Sequence, residues 1–279
     1  RSIIRDLYQS NHNSLALMTY QRLASSSTDT SKRALYKMKM NHVIGTERYD
    51  ELVSLANSIK SDSKFAHILE HIKNDSSKFL IFTEFYATQD YIANNLKEQG
   101  YSVTLFNGKL SPDEKSDAVK EFKNKSQIMI STGAGGEGQN FQFCHNIVNY
   151  DLPWNPMRVE QRIGRVHRIG QTENVNIYNY ALRGTIEAYI LELLFTKIEL
   201  FNMALGELDL IFEDSTNEGL QETWFKEYMT GKNEEDIKNK FSSLGESWKQ
   251  NKEKINDTVN EFNDDVFNNF DLSAIKEKK

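Results

Sequence analysis

The chain has 279 residues, with 38% hydrophobic and 27% charged side chains, a mean hydropathy of -0.62 and a formal net charge of -6. The sequence excludes a membrane-spanning helix, because no apolar run approaches the roughly 18 residues that such a helix needs. The single cysteine, Cys144, excludes an internal disulfide framework and a zinc site built from several cysteines.

The ends of the chain suggest its context. It begins at Arg1 with no secretory signal pattern, so we expect a segment of a longer protein, and its single cysteine suits the reducing cytoplasm. The acidity is uneven, since residues 186–279 contain 21 Asp and Glu against 11 Lys and Arg. A basic groove for a polyanion therefore remains possible earlier in the chain. Cys144 is expected to be a small buried residue beside a strand.

Residues 1–62 have a helical pattern. Apolar side chains recur three to four positions apart in 15–23, 35–40 and 49–59, and a polar cluster at 25–31 separates the first two stretches. Such short helices are marginal alone. We expect them to pack on the following domain or to link it to a preceding one.

Residues 63–185 alternate between strands and helices. Phe79–Thr83 is almost wholly apolar, which is typical of a strand buried on both faces of a parallel sheet. Ser111, Pro112 and Glu114 form a strong helix-start signal. The predicted strands are 79–83, 102–106, 127–131, 146–150 and 174–181. This alternation predicts a three-layer α/β/α fold with a mostly parallel sheet, in which ligands bind at the carboxyl ends of the strands.

Residues 186–279 predict an acidic helical extension. Helical spacing runs from Ile186 to about Ala204, and more helix is predicted over 218–229 and from Glu234 onward. The extension contains no proline and has aromatic residues spaced along it. We therefore expect it to dock on another surface rather than to form a disordered tail. The aromatic residues are Trp224, Phe225, Trp248, Phe262, Phe267 and Phe270.

The segment Ser131–Asn140 leaves a predicted strand through four closely spaced glycines. Glycines at this spacing let the bare backbone approach a ligand. Because the segment follows a strand end, we expect it at the ligand-binding edge of the sheet.

A second segment carries positive charge. On a helix that begins at Pro156, the residues Gln161, Arg165 and Arg168 are predicted to share one face. An amide and two guanidiniums so placed could bind phosphate and neutralise charge in phosphoryl transfer. A solvated basic stripe is the simpler interpretation, but Gly164 and Gly170 in the same segment disfavour it, since glycine weakens a helix by roughly 1 kcal/mol.

These residues carry a family resemblance. The segment 161–171, Gln-Arg-Ile-Gly-Arg-Val-His-Arg-Ile-Gly-Gln, resembles motif VI of superfamily-two helicases, and its ending resembles the Swi/Snf branch. Ser131–Asn140 resembles motif V, Asp151–Pro156 resembles the segment that joins these motifs in that branch, and Phe79–Phe85 resembles motif IV. The resemblance implies the second RecA-like lobe of a double-stranded-DNA translocase.

The flanking segments extend the likeness. Residues 21–26 and 184–210 are similar to the flanks of bacterial RapA-type members, so that the resemblance covers about residues 15–210. The resemblance implies two partners, double-stranded DNA and the first RecA-like lobe of the same protein. A third would be RNA polymerase or another DNA-bound protein, and no membrane partner is implied.

The resemblance also implies roles for individual residues. Arg165 and Arg168 would be arginine fingers that reach ATP, which is held with Mg mainly by the first lobe, and Gln161 would help to sense the γ-phosphate. Contacts to the nucleotide at the lobe interface would come from Gly136, Gly138 and Asn140. Contacts to the DNA, chiefly its phosphates, would come from Thr83, Gly108, Thr132, Gly133 and Trp154.

The sequence lacks two motor elements. It contains no Gly-x-x-x-x-Gly-Lys-Ser/Thr loop for ATP phosphates and no Asp-Glu-x-His tetrad. We therefore predict negligible ATPase activity for this chain alone. Two alternatives stay open: a non-catalytic interaction scaffold built on a motor-like lobe, and a strand-separating helicase. The intact Gln161, Arg165 and Arg168 set disfavours the scaffold, and the segment 154–156 favours the translocase.

Two further patterns have simpler explanations. His67 and His71 fit the His-x-x-Glu-His pattern of some zinc proteases, but no third ligand is evident and we predict no metal site. Lys120, Lys123 and Lys125 form a basic cluster, which we expect to be solvated near the end of a helix, where cations are favoured.

Overall fold

A computed structural model describes residues 2–59, 62–133, 139–168, 170–196, 217–248 and 250. Its centre is a five-stranded sheet. The strands are β1 Phe79–Thr83, β2 Val103–Phe106, β3 Ile128–Thr132, β4 Asn146–Asn149 and β5 Asn176–Asn179. They lie in the order β2-β3-β1-β4-β5, and every pairing is parallel. All five predicted strands are confirmed, with ends shifted by a few residues.

The central strand β1 shows why the sheet is buried on both sides. Its alternate residues Phe79 and Ile81 pack into one core cluster, and Leu80 and Phe82 pack into another on the opposite face. All five residues of β1 are buried. The apolar run therefore specifies a central strand of a three-layer domain.

Helices cover both faces of the sheet. The four helices of this part of the chain are α5 Ser63–Asn74, α6 Tyr86–Glu98, α7 Pro112–Asn124 and α8 Pro156–Ile163. Helices α5 and α6 pack on the face that contains Phe79, whereas α7 packs on the other face. The predicted start of α7 is confirmed, because Ser111 and Glu114 make both hydrogen bonds of a capping box.

A helical layer packs beside the sheet domain. Four of its helices precede the sheet and two further helices and a helical stretch follow it: α1 Ser2–Gln9, α2 Ser14–Ser26, α3 Thr28–Met40, α4 Thr46–Ser58, α9 Ile186–Thr196, α10 Asn217–Thr230 and residues 234–248. These helices share a single core cluster, to which Leu17, Ile190 and Trp224 contribute fully buried side chains. The described part of the C-terminal extension thus docks on the N-terminal helices of the same chain.

The layer is joined to the sheet domain at Trp154. The Trp224 indole donates a hydrogen bond to the Trp154 carbonyl at 3.0 Å, and Phe225 stacks on the Trp154 ring. The division into 1–62, 63–185 and 186–279 stays a prediction. Phe262, Phe267 and Phe270 and the segment from Lys197 to Ala204 lie outside the described residues. No helix among the described residues is both long enough and apolar enough to cross a membrane.

Candidate functional site

The carboxyl ends of β1, β3 and β4 meet at one edge of the sheet, where polar residues follow buried strands. Glu84 follows β1, Gly133 follows β3, and Asp151 lies two residues beyond β4. Parallel neighbours in a sheet bring their carboxyl ends together, so these residues become close although they are far apart in sequence.

Asp151 ties three parts of the chain together. Its carboxylate accepts hydrogen bonds from the Thr83 hydroxyl, from the Ser26 hydroxyl at 2.9 Å and from the Glu84 backbone N–H at 3.0 Å. The buried Lys64 ammonium lies 3.6 Å from Asp151 Oδ1 and donates to two backbone carbonyls. Asp151 is thus a buried carboxylate with a charged partner and several donors, as burial requires.

Glu84 is the centre of an arginine cluster. Its Oε2 accepts from Arg22 Nη2 at 3.0 Å and lies 3.7 Å from Arg158 Nη1, and its Oε1 accepts a short hydrogen bond from Arg162 Nη2. The Arg162 guanidinium also donates to Asn149 Oδ1 at 2.8 Å. Burial lowers the pKa of Arg162, while the carboxylates of Glu84 and Asp151 oppose that shift.

The prediction that Gln161, Arg165 and Arg168 share one face of a helix is wrong. Helix α8 ends at Ile163, and Gly164 is its C-cap, so only Gln161 of the three predicted residues lies on the helix. Arg165 lies in the turn that follows, and Arg168 lies just beyond that turn. Gln161 and Arg168 are exposed and Arg165 is half-buried; the Arg168 Nε donates to the Gly164 carbonyl at 2.8 Å. The same glycine that argued against a plain basic stripe ends the helix before the arginines.

The stretch directly after the glycine segment, residues 131–140, is adjacent to the arginine segment, residues 161–171. The Phe141 N–H donates to the Arg165 carbonyl at 2.9 Å. The Gln171 side chain donates to the Gln142 carbonyl at 3.0 Å, which closes the arginine segment onto the same stretch. The residues directly after the glycine segment are therefore bonded to the arginine segment, although the two segments are some twenty residues apart in sequence.

The predicted nucleotide-binding residues are only partly described. Asn140 is exposed, and its side chain both donates to Gln142 Oε1 and accepts from the Gln142 N–H, each at 3.0 Å. Gly136 and Gly138 lie outside the described residues. The predicted role of all three stays a prediction.

The residues predicted to contact DNA separate into two groups. Gly108 is exposed in a turn after β2, and Gly133 is partly exposed after β3. Thr83, Thr132 and Trp154 are buried, at 0%, 3% and 1% exposure. The Trp154 indole N–H donates to Glu187 at 2.9 Å within the core. Burial argues against direct DNA contact by these three side chains.

The remaining sequence patterns behave as packing groups. His67 Nδ1 and the Tyr180 hydroxyl share a hydrogen bond at 3.1 Å, and the His71 ring packs on Tyr178. Among the described residues, no three His, Cys, Asp or Glu side chains converge as metal ligands. Lys120 is exposed and pairs with Asp117.

Cys144 is buried beside β4, as expected from the sequence. Burial raises the pKa of its thiol to about 12. A thiol with this pKa is protonated at neutral pH and has little reactivity.

The sequence reasoning missed Glu84 and Arg162. Both lie inside segments that resemble family motifs, at 79–85 and 161–171, but neither was assigned a role. One signal could have found Glu84: an acidic residue directly after a wholly apolar central strand lies at the carboxyl edge of the sheet. Arg162 is next to Gln161 and is 6% exposed. Its burial depends on partners that sequence spacing does not reveal.

Comparison with known proteins identifies the fold and the family. The "Helicase conserved C-terminal domain" family matches residues 63–170. The RNA polymerase-associated protein RapA of Vibrio parahaemolyticus is 35% identical over 134 residues, which are 46% of this chain and 14% of RapA. The chain belongs to the Swi/Snf-type helicases of superfamily two. It contains their C-terminal lobe, and the predicted RecA-like α/β fold is confirmed.

Other matches extend over more of this helicase lobe and its helical layer. The "Uncharacterized ATP-dependent helicase YqhH" of Bacillus subtilis is 39% identical over 234 residues, which are 82% of this chain and 42% of that protein. The crystal structure of the C-terminal part of the Fun30 ATPase domain has a TM-score of 0.51 at 22% identity, covering 78% of this chain and 82% of that one. The chain thus spans less than half the length of the curated relatives described here.

Proposed function

We propose that this helicase lobe is the second half of an ATP-dependent motor that translocates along double-stranded DNA. The observation that carries the proposal is the hydrogen bond from the Phe141 N–H to the Arg165 carbonyl, which joins the stretch directly after the glycine segment to the arginine segment. Sheets of this architecture bind ligands at the carboxyl ends of their strands, and the glycine segment follows β3 at such an end. Because this hydrogen bond links the two stretches, a displacement of one can displace the other.

Arg165 and Arg168 act as arginine fingers in this proposal, and Gln161 helps to sense the γ-phosphate. The chemistry of the donor set fits a phosphate: two guanidiniums and one amide donate hydrogen bonds, and guanidiniums bind phosphate oxygens bidentately. The hydrogen bond from Arg168 Nε to the Gly164 carbonyl fixes one edge of that guanidinium while the side chain stays exposed.

ATP with Mg, when bound, supplies the γ-phosphoryl group whose transfer to water drives the motor. A first RecA-like lobe supplies most of its contacts, since the present sequence has no Gly-x-x-x-x-Gly-Lys-Ser/Thr loop. From this chain, Gly136, Gly138 and Asn140 would add contacts to the nucleotide, as the resemblance of their segment to motif V implies. We use "complete motor" for this lobe together with that first lobe, on one chain or supplied as two.

Gly108 and Gly133 are the exposed contacts to DNA phosphates in this proposal. Both follow strands of the sheet, and glycine lets a backbone N–H approach a phosphate oxygen closely. The buried Thr83, Thr132 and Trp154 support the track from beneath rather than touch DNA. Contacts restricted to phosphates would make the motor indifferent to sequence.

The protein partner and location follow from the relatives only as proposals. RapA is named as an RNA polymerase-associated protein, and we propose RNA polymerase or another DNA-bound protein as the target of the motor. A protein with such a target would act in the cytoplasm at the nucleoid.

The decisive experiment is Arg168→Ala in the complete motor. Loss of an arginine finger lowers kcat by a factor of about 10³ or more. We expect this loss in DNA-stimulated phosphate release, while the Kd of a fluorescent nucleotide changes little. Lys120→Ala is the control, because this exposed lysine pairs only with Asp117 among its described contacts and should leave turnover unchanged.

Near-normal turnover of the Arg168→Ala motor would refute the finger assignment. The lobe by itself should show negligible ATPase activity with or without duplex DNA, and substantial turnover would contradict the proposed division of the site. A strand-displacement assay on the complete motor separates translocation from strand separation: a translocase moves on the duplex without releasing a labelled strand.

A further inference from the structure

Glu84 is a single carboxylate that three arginines approach from two helices. Arg22 comes from α2 in the helical layer, and Arg158 and Arg162 come from α8. The side chains of Glu84 and Arg162 are 9% and 7% exposed. The Glu84 backbone N–H is itself fixed by Asp151, so the carboxylate has little freedom to move.

The pair of Glu84 and Arg162 is costly to bury. Desolvation of two charges offsets much of their attraction, and replacement of a buried ion pair by apolar groups is often neutral or stabilising. Stability is therefore a weak reason for the pair. Positioning explains the pair better than stability does. A short charge-assisted hydrogen bond between a guanidinium and a carboxylate fixes the position of a helix more precisely than apolar packing does.

The element that this contact positions is α8. The Arg162 guanidinium donates to Glu84, to Asn149 Oδ1 and to the Asp151 carbonyl at 3.0 Å, and it lies 4.9 Å from the centre of the Phe82 ring. Arg162 is in the last turn of α8, and the chain continues from there directly into Arg165 and Arg168. The last turn of α8 is thus fixed to the ends of β1 and β4.

The same carboxylate reaches the start of the glycine segment. A Cβ atom on Gly133 would lie 3.3 Å from Glu84 Oε1, closer than most such contacts. Gly133 is the first residue after β3. Glu84 therefore contacts Arg162 at the arginine segment and lies beside Gly133 at the start of the glycine segment.

Arg22 connects this centre to the helical layer. Its guanidinium lies 6.0 Å from the centre of the Phe85 ring and 5.9 Å from that of Trp154, so aromatic faces hold it against Glu84. Helix α2 packs in the core cluster that also contains Trp224 of α10. A displacement of the helical layer would be transmitted to Glu84 through this contact.

We propose that Glu84 is a positioning residue that sets the arginine segment and the start of the glycine segment relative to each other, and that Arg22 makes this setting depend on the helical layer. The inference rests on the proposed function, since its readout is ATP hydrolysis by the complete motor. Glu84 acts through Arg162 and Gly133 and touches no nucleotide.

The test is Glu84→Gln in the complete motor, with Glu227→Gln as a matched control. Glu227 also loses an ion pair, to Lys240 at 3.0 Å, but lies in the helical layer away from the sheet edge. A misplacement of about 1 Å can cost a factor of ~10² in rate. We expect Glu84→Gln to lower kcat by a factor of about 10 or more with the KM for ATP within about twofold, by the same reasoning. Glu227→Gln should leave both constants unchanged.

A double-mutant cycle tests the link to the layer. Arg22→Gln should lower kcat by a smaller factor, about threefold, and should add no further loss in the Glu84→Gln background, because both changes break the same contact. Losses that multiply would overturn the coupling through Glu84. If Glu84→Gln does not fold, Arg22→Gln alone decides, since its partly exposed side chain can be changed with less disturbance.

Other outcomes separate the two hypotheses. A folded Glu84→Gln motor with kcat near that of the unaltered motor overturns the positioning role, and so does a raised KM with unchanged kcat. An unaltered complete motor with no DNA-stimulated ATPase activity overturns the proposed function itself, and this inference with it.

Discussion

At the residue scale, burial decides what a side chain in a motif can do. Trp154 lies in a segment that resembles part of the translocase signature, yet its ring is 1% exposed and stacks on Phe225. An aromatic residue that buries its ring and satisfies its N–H contributes to a core. We therefore expect a change at Trp154 to affect DNA binding only indirectly.

Trp154→Phe tests this assignment. The change removes the hydrogen bond from the indole to Glu187 but keeps an aromatic ring in the core, so we expect the free energy of unfolding to fall by about 1 to 3 kcal/mol. Duplex DNA affinity should stay within about twofold in the complete motor, as befits a side chain that makes no DNA contact. Urea unfolding and fluorescence anisotropy with labelled DNA give the two quantities.

A large loss of DNA affinity at unchanged stability would restore the direct contact that the sequence suggested. Tyr36→Phe provides the comparison, since this exposed ring should change neither quantity.

At the element scale, α8 is a short helix with defined ends. Asn155 accepts a hydrogen bond from the Met157 N–H at 3.0 Å as N-cap, Pro156 occupies the first turn, and Gly164 ends the helix. Eight residues are too few for a stable isolated helix. The helix therefore depends on its cap and on the burial of Val159 and Arg162.

Two cap substitutions separate stability from position. Asn155→Ala and Ser111→Ala each remove an N-cap side chain, from α8 and α7, and each should lower the free energy of unfolding by about 1 kcal/mol. Only Asn155→Ala should also lower the kcat of the complete motor, because α8 leads into Arg165. Equal kcat in the two variants would show that the cap of α8 does not affect the arginine segment.

At the scale of the whole molecule, several buried groups hold their protons more tightly than usual. Burial raises the pKa of Cys144 from 9.0 to about 12 and that of Tyr91 from 10.0 to about 12, and it also raises the pKa of Tyr150 and Tyr180. Lys78 has a lowered pKa, also through burial, which acts in the opposite direction. Of the five groups named here, four have a raised pKa and one has a lowered pKa.

The stability of the protein should therefore fall in alkali. A group with a raised folded-state pKa contributes stability below its unfolded pKa, and that contribution is lost as the pH rises toward the folded value. We expect the free energy of unfolding, measured in urea, to decrease from about pH 9 toward pH 12, the range set by the Cys144 and Tyr91 values. Tyr91→Phe should reduce this slope, and a flat profile above pH 9 would contradict the prediction.

Local chemistry was sufficient for much of the fold. Phe79–Thr83 predicted a buried central strand because only a sheet covered on both faces accommodates such a run, and the start of α7 followed from Ser111 and Glu114. The rule that parallel strands share a ligand-binding edge places Glu84, Gly133 and Asp151 at one end of the sheet, because each follows a strand. The family followed from the residues of these segments.

The tertiary structure decided which of those residues are accessible and what holds them. Helical periodicity placed Arg165 and Arg168 on α8, but Gly164 ends that helix. Arg165 lies in the turn that follows, where its carbonyl accepts from the Phe141 N–H, and Arg168 lies beyond that turn. The burial of Thr83 and Trp154 could not be inferred from the sequence, because it depends on Asp151 and on helices that are distant in sequence.

What the sequence by itself determined is the alternation of strands and helices and the presence of the two motif segments, since both depend on local patterns. Only the tertiary structure revealed Glu84 as the common partner of Arg22 and Arg162. These residues are separated by 62 and 78 positions, and a charged residue has no local pattern that distinguishes a buried pair from a solvated one. Burial and pairing of charge are properties of the assembled layers, which local spacing does not encode.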